Sequence, residues 1–358
     1  EANLDLTDTA IKANKLMAAL MPTMMLVLNF TIIIIIWFGG LRIDSGYMQV
    51  GDLMAFIQYV MLIMFSLIML SMLFVMIPRA AVSAGRINEV LDTSCQIKDV
   101  EQINIAINAK DKGCVEFKDV TFSYPGAEKP VLSGISFCAK PGEITAIIGG
   151  IGSGKSTLIN LIPRFFDIDS GSISIDNVDI REMLQEELRS KIGYVSQRAV
   201  LFSGSIAENI RYGREDASDE EVLRAIKTSM AAEFVLSMPE GLDSVIAQGG
   251  TNLSGGQKQR LAIARALVRR PLIYVFDDCF SAIDFITDAR LRAALRKETA
   301  DSTVIIVAQR VSTVMGADQI IVLDDGRVAG AGCHKELLDT CSVYREIVAS
   351  QLSLEELA

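Results

Sequence analysis

Two long stretches without a charged residue constrain the fold of this chain more than any other feature. Leu16–Leu41 and Leu53–Pro78 are each 26 residues long and contain no Asp, Glu, Lys or Arg. As helices they would extend about 39 Å, further than the ~30 Å hydrocarbon core of a bilayer. Buried helices of a soluble core are seldom this long and this uniformly apolar. The sequence therefore predicts two membrane spans, at about 16–41 and 53–78.

The charges that flank these stretches predict an orientation. Two basic residues precede the first run and two follow the second: Lys12, Lys15, Arg79 and Arg86. Because positive residues collect on the cytoplasmic side, both outer flanks are expected in the cytoplasm. We therefore expect a multi-pass protein of the inner or plasma membrane, with a large cytoplasmic domain after the second span. The net charge of −10 argues against nucleic acid as a partner.

A glycine-rich stretch in this cytoplasmic part predicts phosphate binding. The apolar run Glu143–Ile148 is typical of a strand, and Gly149–Ser156 after it fits the pattern G-x-x-x-x-G-K-[ST]. A glycine-rich turn without a ligand is disfavoured, because a strand leads directly into it. Lys155 would reach the outer phosphates of ATP and Ser156 would bind Mg²⁺. The predicted nucleotide-binding residues here are Gly149, Gly150, Ile151, Gly152, Ser153, Gly154, Lys155, Ser156 and Thr157.

A second motif, about a hundred residues later, indicates the family. Its five residues are Leu253, Ser254, Gly255, Gly256 and Gln257. This pentapeptide is the signature sequence of ATP-binding cassette (ABC) proteins, so that residues 113–358 resemble an ABC nucleotide-binding domain. Ser254 is also predicted to act as the N-cap of the helix that follows. In the family, this helix end faces the ATP that the other subunit of a head-to-tail dimer binds.

The resemblance implies a domain organisation for the whole chain. The fold class is an α-helical transmembrane segment followed by an α/β P-loop NTPase with a helical subdomain at about 200–255. Residues 1–90 would be the C-terminal part of a transmembrane domain, and residues 91–112 a linker. ABC exporters have six spans before each nucleotide-binding domain, and the two spans here resemble the fifth and sixth. We therefore expect the sequence to be part of a longer chain, or one piece of a split transporter.

Further site residues follow from the resemblance alone. Tyr124 ends a predicted strand and would stack on adenine, although an ordinary strand-end tyrosine is the alternative. Asp277 ends the Walker B strand and, with Ser156 and Gln197, would hold Mg²⁺. Gln197 would touch either Mg²⁺ or the attacking water, so it is also a candidate catalytic residue, and its loop would respond to the membrane domain. The residues assigned to the D-loop, which links the two ATP sites of a dimer, are Ser281 and Asp284.

Two catalytic positions depart from the family pattern. An active ABC ATPase usually has Glu after the Walker B aspartate, and this chain has Asp278. The switch strand usually ends in His, and here that position is Gln309. The only histidine of the chain, His334, lies well after the switch, so no shifted alignment restores a switch histidine.

These departures predict an ATP site that binds nucleotide but hydrolyses it slowly. The chain resembles the degenerate-site half of heterodimeric bacterial multidrug exporters, whose partner half would carry the consensus Glu and His. Three alternatives stay open: tolerated variants with normal hydrolysis, a homodimeric lipid or peptide exporter, and an ABC-type ATP-gated channel. Chromosome-structure ATPases share both motifs but lack membrane spans.

Methionines and cysteines complete the sequence predictions. The second span contains six methionines, which suit varied lipophilic cargo but equally suit contact with membrane lipids or helix packing: Met54, Met61, Met64, Met69, Met72 and Met76. The six cysteines form no C-x-x-C pair, so neither zinc ligation nor a disulfide framework is predicted. We also expect one terminal helix over His334–Gln351, and the first membrane helix to end at Gly39 and Gly40.

Overall fold

The computed structural model describes residues 2–95, 97–99 and 113–351. The chain divides into two units between Cys95 and Gln96. Most of the predicted linker, from 100 to 112, lies outside the described residues. The first unit consists of two helices, α1 (Ala2–Asp44) and α2 (Val50–Leu91), and both contain a stretch long and apolar enough to cross a membrane. The two uncharged runs therefore lie within helices, as predicted, and each helix extends beyond its run.

Gly39 has a different role from the predicted one. Helix α1 continues through Gly39 and Gly40 to Asp44, so these glycines do not end it. Gly39 is buried, and a β-carbon on it would overlap Cδ1 of Leu53 on α2. Small residues allow two membrane helices to approach closely. Gly39 thus marks the contact between α1 and α2.

The second unit is built on three sheets. In spatial order, the six-stranded sheet consists of β12 (Arg327–Gly332), β11 (Gln319–Asp324), β3 (Ile144–Gly149), β10 (Thr303–Val307), β9 (Ile273–Asp277) and β6 (Ile192–Val195). A four-stranded antiparallel sheet consists of β2 (Leu132–Ala139), β1 (Val115–Phe122), β4 (Ser170–Ile175) and β5 (Val178–Asp179). The third sheet is the short pair β7 (Gly204–Ser205) and β8 (Val245–Ile246).

Ten helices of this unit are described, in addition to short 3₁₀ turns. They are α3 (Lys155–Leu161), α4 (Gln185–Ser190), α5 (Ile206–Arg211), α6 (Asp219–Thr228), α7 (Ala232–Leu236), α8 (Gly255–Arg269), α9 (Phe285–Glu298), α10 (Val311–Val314), α11 (His334–Thr340) and α12 (Ser342–Gln351). Helices α5 to α7 lie between β7 and β8 in the chain, within the region predicted as a helical subdomain. The exact domain boundaries stay a prediction.

The single terminal helix predicted over His334–Gln351 is wrong. Two helices, α11 and α12, meet at Cys341, whose backbone is extended with φ −117° and ψ 109°. There the buried Cys341 thiol lies 3.8 Å from the Ala329 carbonyl of β12. His334, the first residue of α11, is half-buried, and its Nδ1 lies 2.7 Å from the Tyr344 hydroxyl on α12.

The core lies on both faces of the six-stranded sheet. In β9, Ile273 and Val275 face the four-stranded sheet and α3, whereas Tyr274 and Phe276 face the layer formed by α5 to α9. Because both faces are covered, β9 is apolar at every position before its final aspartate. The strand ends at Asp277, and the candidate functional site begins there.

Candidate functional site

The carboxyl ends of five parallel strands meet at one edge of the sheet. In the order β11, β3, β10, β9 and β6, the strands pair in parallel, with Val307 opposite both Ile147 and Asp277. Ligands of open α/β sheets bind at such an edge. A cavity of about 260 Å³ lies there, lined by Val131, Ile151, Gly152, Gly154, Lys155, Ser156, Thr157, Gln197, Asp277, Asp278, Val307 and Gln309.

The glycine-rich loop curls between β3 and α3 as its sequence predicts. Gly152 and Gly154 have φ of 82° and 94°, a region that glycine adopts without strain. The Lys155 ammonium donates to the Gly149 and Gly150 carbonyls at 2.9 and 2.6 Å. Burial lowers the pKa of Lys155, against the opposing effect of Asp278 and Asp277. The loop thus holds the half-buried Lys155 ammonium at the cavity, beside backbone N–H groups that can bind phosphate.

The predicted metal ligands are only partly brought together. The Ser156 hydroxyl donates to Oδ1 of Asp277 at 3.2 Å, and burial raises the pKa of Asp277. Hydroxyl and carboxylate oxygens are hard donors of the kind Mg²⁺ prefers, so these two residues fit that ion. Gln197 lines the same cavity, but its amide donates to Asp278, not to Asp277. Its predicted role as a metal ligand remains a prediction.

Asp278 lies between two amide side chains. Its Oδ2 accepts a hydrogen bond from Nε2 of Gln197 at 3.1 Å and another from Nε2 of Gln309 at 2.8 Å. Burial raises the pKa of Asp278, and the bond from Gln197 opposes that effect. Sequence reasoning named all three residues but did not predict that one carboxylate oxygen joins them. We call this group the Asp278 amide pair.

The signature residues lie outside this cavity. Ser254 is the N-cap of α8, as predicted: its hydroxyl accepts from the Gln257 amide at 3.3 Å, and its own N–H donates to Oε1 of Gln257 at 2.8 Å. Leu253 is buried, whereas Ser254 and Gly255 are exposed. A β-carbon on Gly256 would lie 2.9 Å from the Ala282 carbonyl, so glycine is needed for this close approach. Within the part of the chain that the structure describes, none of the five signature residues lines the P-loop cavity.

The comparisons with known proteins agree with this geometry. Residues 132–281 match the family model described as "ABC transporter". An uncharacterized ABC transporter ATP-binding protein of Mycobacterium tuberculosis is 46% identical over 98% of this chain and 60% of its own length. An ATP-dependent lipid A-core flippase of Chromobacterium violaceum is 34% identical over 98% of this chain and 60% of its own length. A solved structure of a bacterial Atm1-family ABC exporter with ATP bound superposes with a TM-score of 0.83 at 35% identity, covering 97% of this chain and 61% of that one.

The chain carries an ABC transporter nucleotide-binding domain, which follows a helical membrane segment in the sequence. It is an integral membrane protein, and its nucleotide-binding domain is cytoplasmic. The chain spans about 60% of the length of the relatives that it matches. The nucleotide-binding domains of this family bind ATP, generally with Mg²⁺, and ABC exporters act as dimers that contact membrane lipids.

The segment predicted to be the D-loop connects the Asp278 amide pair to Arg310, which follows the predicted switch residue Gln309. The Ser281 hydroxyl donates to the Asp278 carbonyl at 2.8 Å, and Arg310 donates to the Ser281 carbonyl at 3.2 Å. Asp284 is the N-cap of α9 and accepts from the Thr287 amide at 3.0 Å. The side chains of both predicted D-loop residues, Ser281 and Asp284, therefore form hydrogen bonds with backbone groups. Cys279, directly after Asp278, is completely buried.

Tyr124 lies beside the P-loop helix. Its hydroxyl is 3.1 Å from Oγ1 of Thr157, the third residue of α3. Its ring meets Phe122 and Phe166 edge to face, at centroid distances of 5.0 and 5.2 Å. Phe166 was missed by sequence reasoning, and only its place shortly after the P-loop helix signals it. Adenine stacking by Tyr124 remains a prediction.

Proposed function

We propose that this chain is one half of a heterodimeric ABC exporter of lipophilic or amphipathic compounds. It binds ATP at its own P-loop, hydrolyses that ATP slowly, and supplies its signature helix to the active site of a different partner. The observation that carries this proposal is the Asp278 amide pair, in which the only carboxylate at the catalytic position already accepts two amide donors on one oxygen.

The chemistry of this group supports slow hydrolysis. Asp278 is one methylene shorter than the usual Glu, and misplacement by about 1 Å costs about 10²-fold in rate. The Gln309 amide cannot exchange a proton as a histidine does, and positioned acid–base groups contribute roughly 10²–10⁴-fold. Together these losses raise the barrier by about 3–5 kcal/mol. The two donated hydrogen bonds also stabilise the carboxylate anion, which makes it a weaker base.

Nucleotide binding does not depend on the altered residues. Lys155 and the glycine-rich backbone would hold the phosphates, Ser156 and Asp277 would hold Mg²⁺, and Tyr124 would contact the base. When bound, the metal ion neutralises phosphate charge. Slow hydrolysis with retained binding predicts that nucleotide stays on this chain through several turnovers of the partner site.

The signature helix argues for an unlike partner. Ser254 and Gly255 are exposed and lie outside their own chain's cavity, so they are free to face a nucleotide held by another subunit. A homodimer would combine two sites that both have Asp at the catalytic position. A partner with the consensus Glu and His restores one fast site, which is completed by Ser254 of this chain.

The membrane unit supports a lipophilic cargo. A cavity of about 490 Å³ between α1 and α2 is lined by Met21, Met24, Met25, Leu28, Gln58, Met61, Leu62, Met64, Phe65 and Ile68. Thioether side chains are flexible and polarizable, and they adapt to ligands of different shape. Export from the cytosol or the inner leaflet is supported by the likeness to the Atm1-family exporter.

A homodimeric lipid exporter is the second candidate. It is favoured by the likeness to the lipid A-core flippase, which covers 98% of this chain. A single-subunit complex with robust, lipid-stimulated hydrolysis would favour this candidate. ATP-gated ion flux in proteoliposomes would instead favour a channel.

A nucleotide-retention measurement tests the proposed function. The protein is purified from its native membrane with its accompanying chains, loaded with labelled ATP, and followed by rapid filtration. We expect one slow and one fast phase of release. The double variant Asp278→Glu with Gln309→His should shorten the slow phase and raise hydrolysis. Release from both sites at one rate in the wild type would contradict the proposal.

A further inference from the structure

The last described residue of the C-terminal helix contacts the switch. Gln351 ends α12, and its side-chain amide bridges two backbone groups on either side of Arg310. Nε2 of Gln351 donates to the Gln309 carbonyl at 2.8 Å, and Oε1 accepts from the Val311 N–H at 2.8 Å. These residues are about forty positions apart in the chain, so only the fold brings them together.

This amide takes the place of a missing helix cap. Val311 is the first residue of α10, and the N-cap position is Arg310. The Arg310 side chain makes no cap hydrogen bond with the backbone N–H groups of the first turn of α10. A helix start needs acceptors for its free N–H groups, and Gln351 supplies one from another element.

The helix that presents Gln351 is itself anchored. Tyr344 and Val348 of α12 are buried, and the Tyr344 hydroxyl lies 2.7 Å from Nδ1 of His334. The position of the Gln351 amide is therefore set by core packing. Its two hydrogen bonds hold the Gln309 carbonyl and the Val311 N–H in place relative to α12.

We propose that Gln351 is a positioning residue for the switch, and that it keeps the Gln309 side chain on Asp278. The contacts form a continuous path from the Gln351 amide, through the Gln309 backbone and side chain, to Oδ2 of Asp278 at 2.8 Å. With the backbone released, Gln309 leaves this oxygen more often, and Oδ2 of Asp278 is then open to a hydrogen bond from an attacking water. The expected direction of this effect, faster hydrolysis on this chain, rests on the proposed function, in which this site hydrolyses ATP slowly.

The first variant is Gln351→Met, which keeps the length and helix propensity of the side chain but removes both hydrogen bonds. We expect nucleotide on this chain to be released about five-fold faster, the factor that one ordinary hydrogen bond gives. Ser350→Ala is the matched control: within the part of the chain that the structure describes, the Ser350 hydroxyl donates to the Ile347 carbonyl of its own helix. The control should release nucleotide as the wild type does. Both variants should stay folded in thermal scans, with Gln351→Met unfolding about 2–4 °C lower because it loses the cap of α10.

A double-mutant cycle separates positioning from simple structural support. Gln309→Ala should produce the same acceleration, and Gln351→Met with Gln309→Ala should add nothing to either single change. Additive effects of the two substitutions on nucleotide release would overturn the inference. So would a wild-type release rate in Gln351→Met together with a changed rate in Gln309→Ala. Either result would leave the proposed function intact. If the wild type instead releases from both sites at one rate, the proposed function fails, and the same cycle is measured on total ATP hydrolysis.

Discussion

Asp278 has a backbone conformation that few aspartates adopt. Its φ is 43°, in the left-handed region, and its N–H donates to the Val307 carbonyl at 3.0 Å. Residues held in such regions cost about 1–3 kcal/mol and persist where the surroundings fix them. Here β10 and the amides of Gln197 and Gln309 provide that restraint. The strained turn directs the carboxylate into the nucleotide cavity.

This buried carboxylate predicts a dependence of stability on pH. Burial raises the pKa of Asp278 in the folded state, so the folded protein binds this proton more tightly than the unfolded chain does. Its stabilising contribution is present in acid and is lost as the pH rises through the raised pKa. Asp278→Asn should therefore unfold at a higher temperature than the wild type at neutral pH. The difference should shrink below about pH 4, the ordinary aspartate value. Asp301→Asn, in an exposed turn, is the control in thermal scans, and a gap that is constant with pH would contradict the prediction.

A separate prediction concerns the Tyr124 ring and the adenine base of ATP. Tyr124→Leu should weaken ATP binding by about ten-fold, since stacking on a base contributes roughly 1–3 kcal/mol. Tyr124→Phe keeps the ring but loses the contact with Thr157, and it should bind nearly as well as the wild type. Affinities for ATP and for inorganic triphosphate are compared by calorimetry. An equal loss for both ligands would show that Tyr124 supports the P-loop and not the base.

At the scale of elements, the start of α8 serves both folding and function. The Ser254 hydroxyl and the Gln257 side chain cap each other's backbone, so the signature is a stable helix start before any partner binds. Its first residues remain exposed, with their N–H groups directed outward from the helix end. An anion from another subunit can bind there without changing the local fold.

Ser254→Asp tests this dual role. Aspartate is as good an N-cap as serine, so α8 should stay folded, but the added negative charge repels a phosphate. We expect steady-state hydrolysis by the complex to fall by at least ten-fold, with nucleotide retention on this chain unchanged. Ser254→Thr keeps both cap and charge and should remain active. Intact hydrolysis in the Ser254→Asp complex would contradict the head-to-tail arrangement.

Elements with a local sequence signal were the predictable ones. The strand before the P-loop, the Walker B strand and the cap at Ser254 could each be recognised from fewer than ten consecutive residues. The break at Cys341 and the role of Gly39 could not, because both depend on packing against another element. The hydrogen bond that the Val311 N–H donates to Gln351 joins a backbone group to a side chain forty positions later in the chain. No residue pattern near either end signals it.

At the scale of the whole molecule, an unlike partner is the main expectation. Produced alone at full length, this half should show little hydrolysis, and adding the partner half should raise the rate by about 10²-fold or more. The reason is that only the partner supplies the consensus acid. The measurement is phosphate release from purified complexes, with a variant of the partner's catalytic acid as the control. Robust, drug-stimulated hydrolysis by this half alone would contradict the expectation.

Transport by the assembled protein is tested in inside-out vesicles. Addition of ATP should cause uptake of a fluorescent lipophilic cation, because cargo enters from the cytoplasmic side. Vesicles with Ser254→Asp should take up none. Failure of uptake across a broad compound panel, with hydrolysis intact, would indicate a lipid, peptide or channel role.

The strand order has a consequence for synthesis of the protein. β3, which leads into the P-loop, pairs with β10 and β11, both encoded much later: Ile144 lies opposite Val304. At about 5–20 residues per second, a ribosome takes roughly 8–30 seconds to make the intervening chain. During that time this apolar strand has neither neighbour and is open to aggregation or to a chaperone. The nucleotide site therefore forms only after most of the domain has been translated, so ATP cannot assist the early steps of its folding.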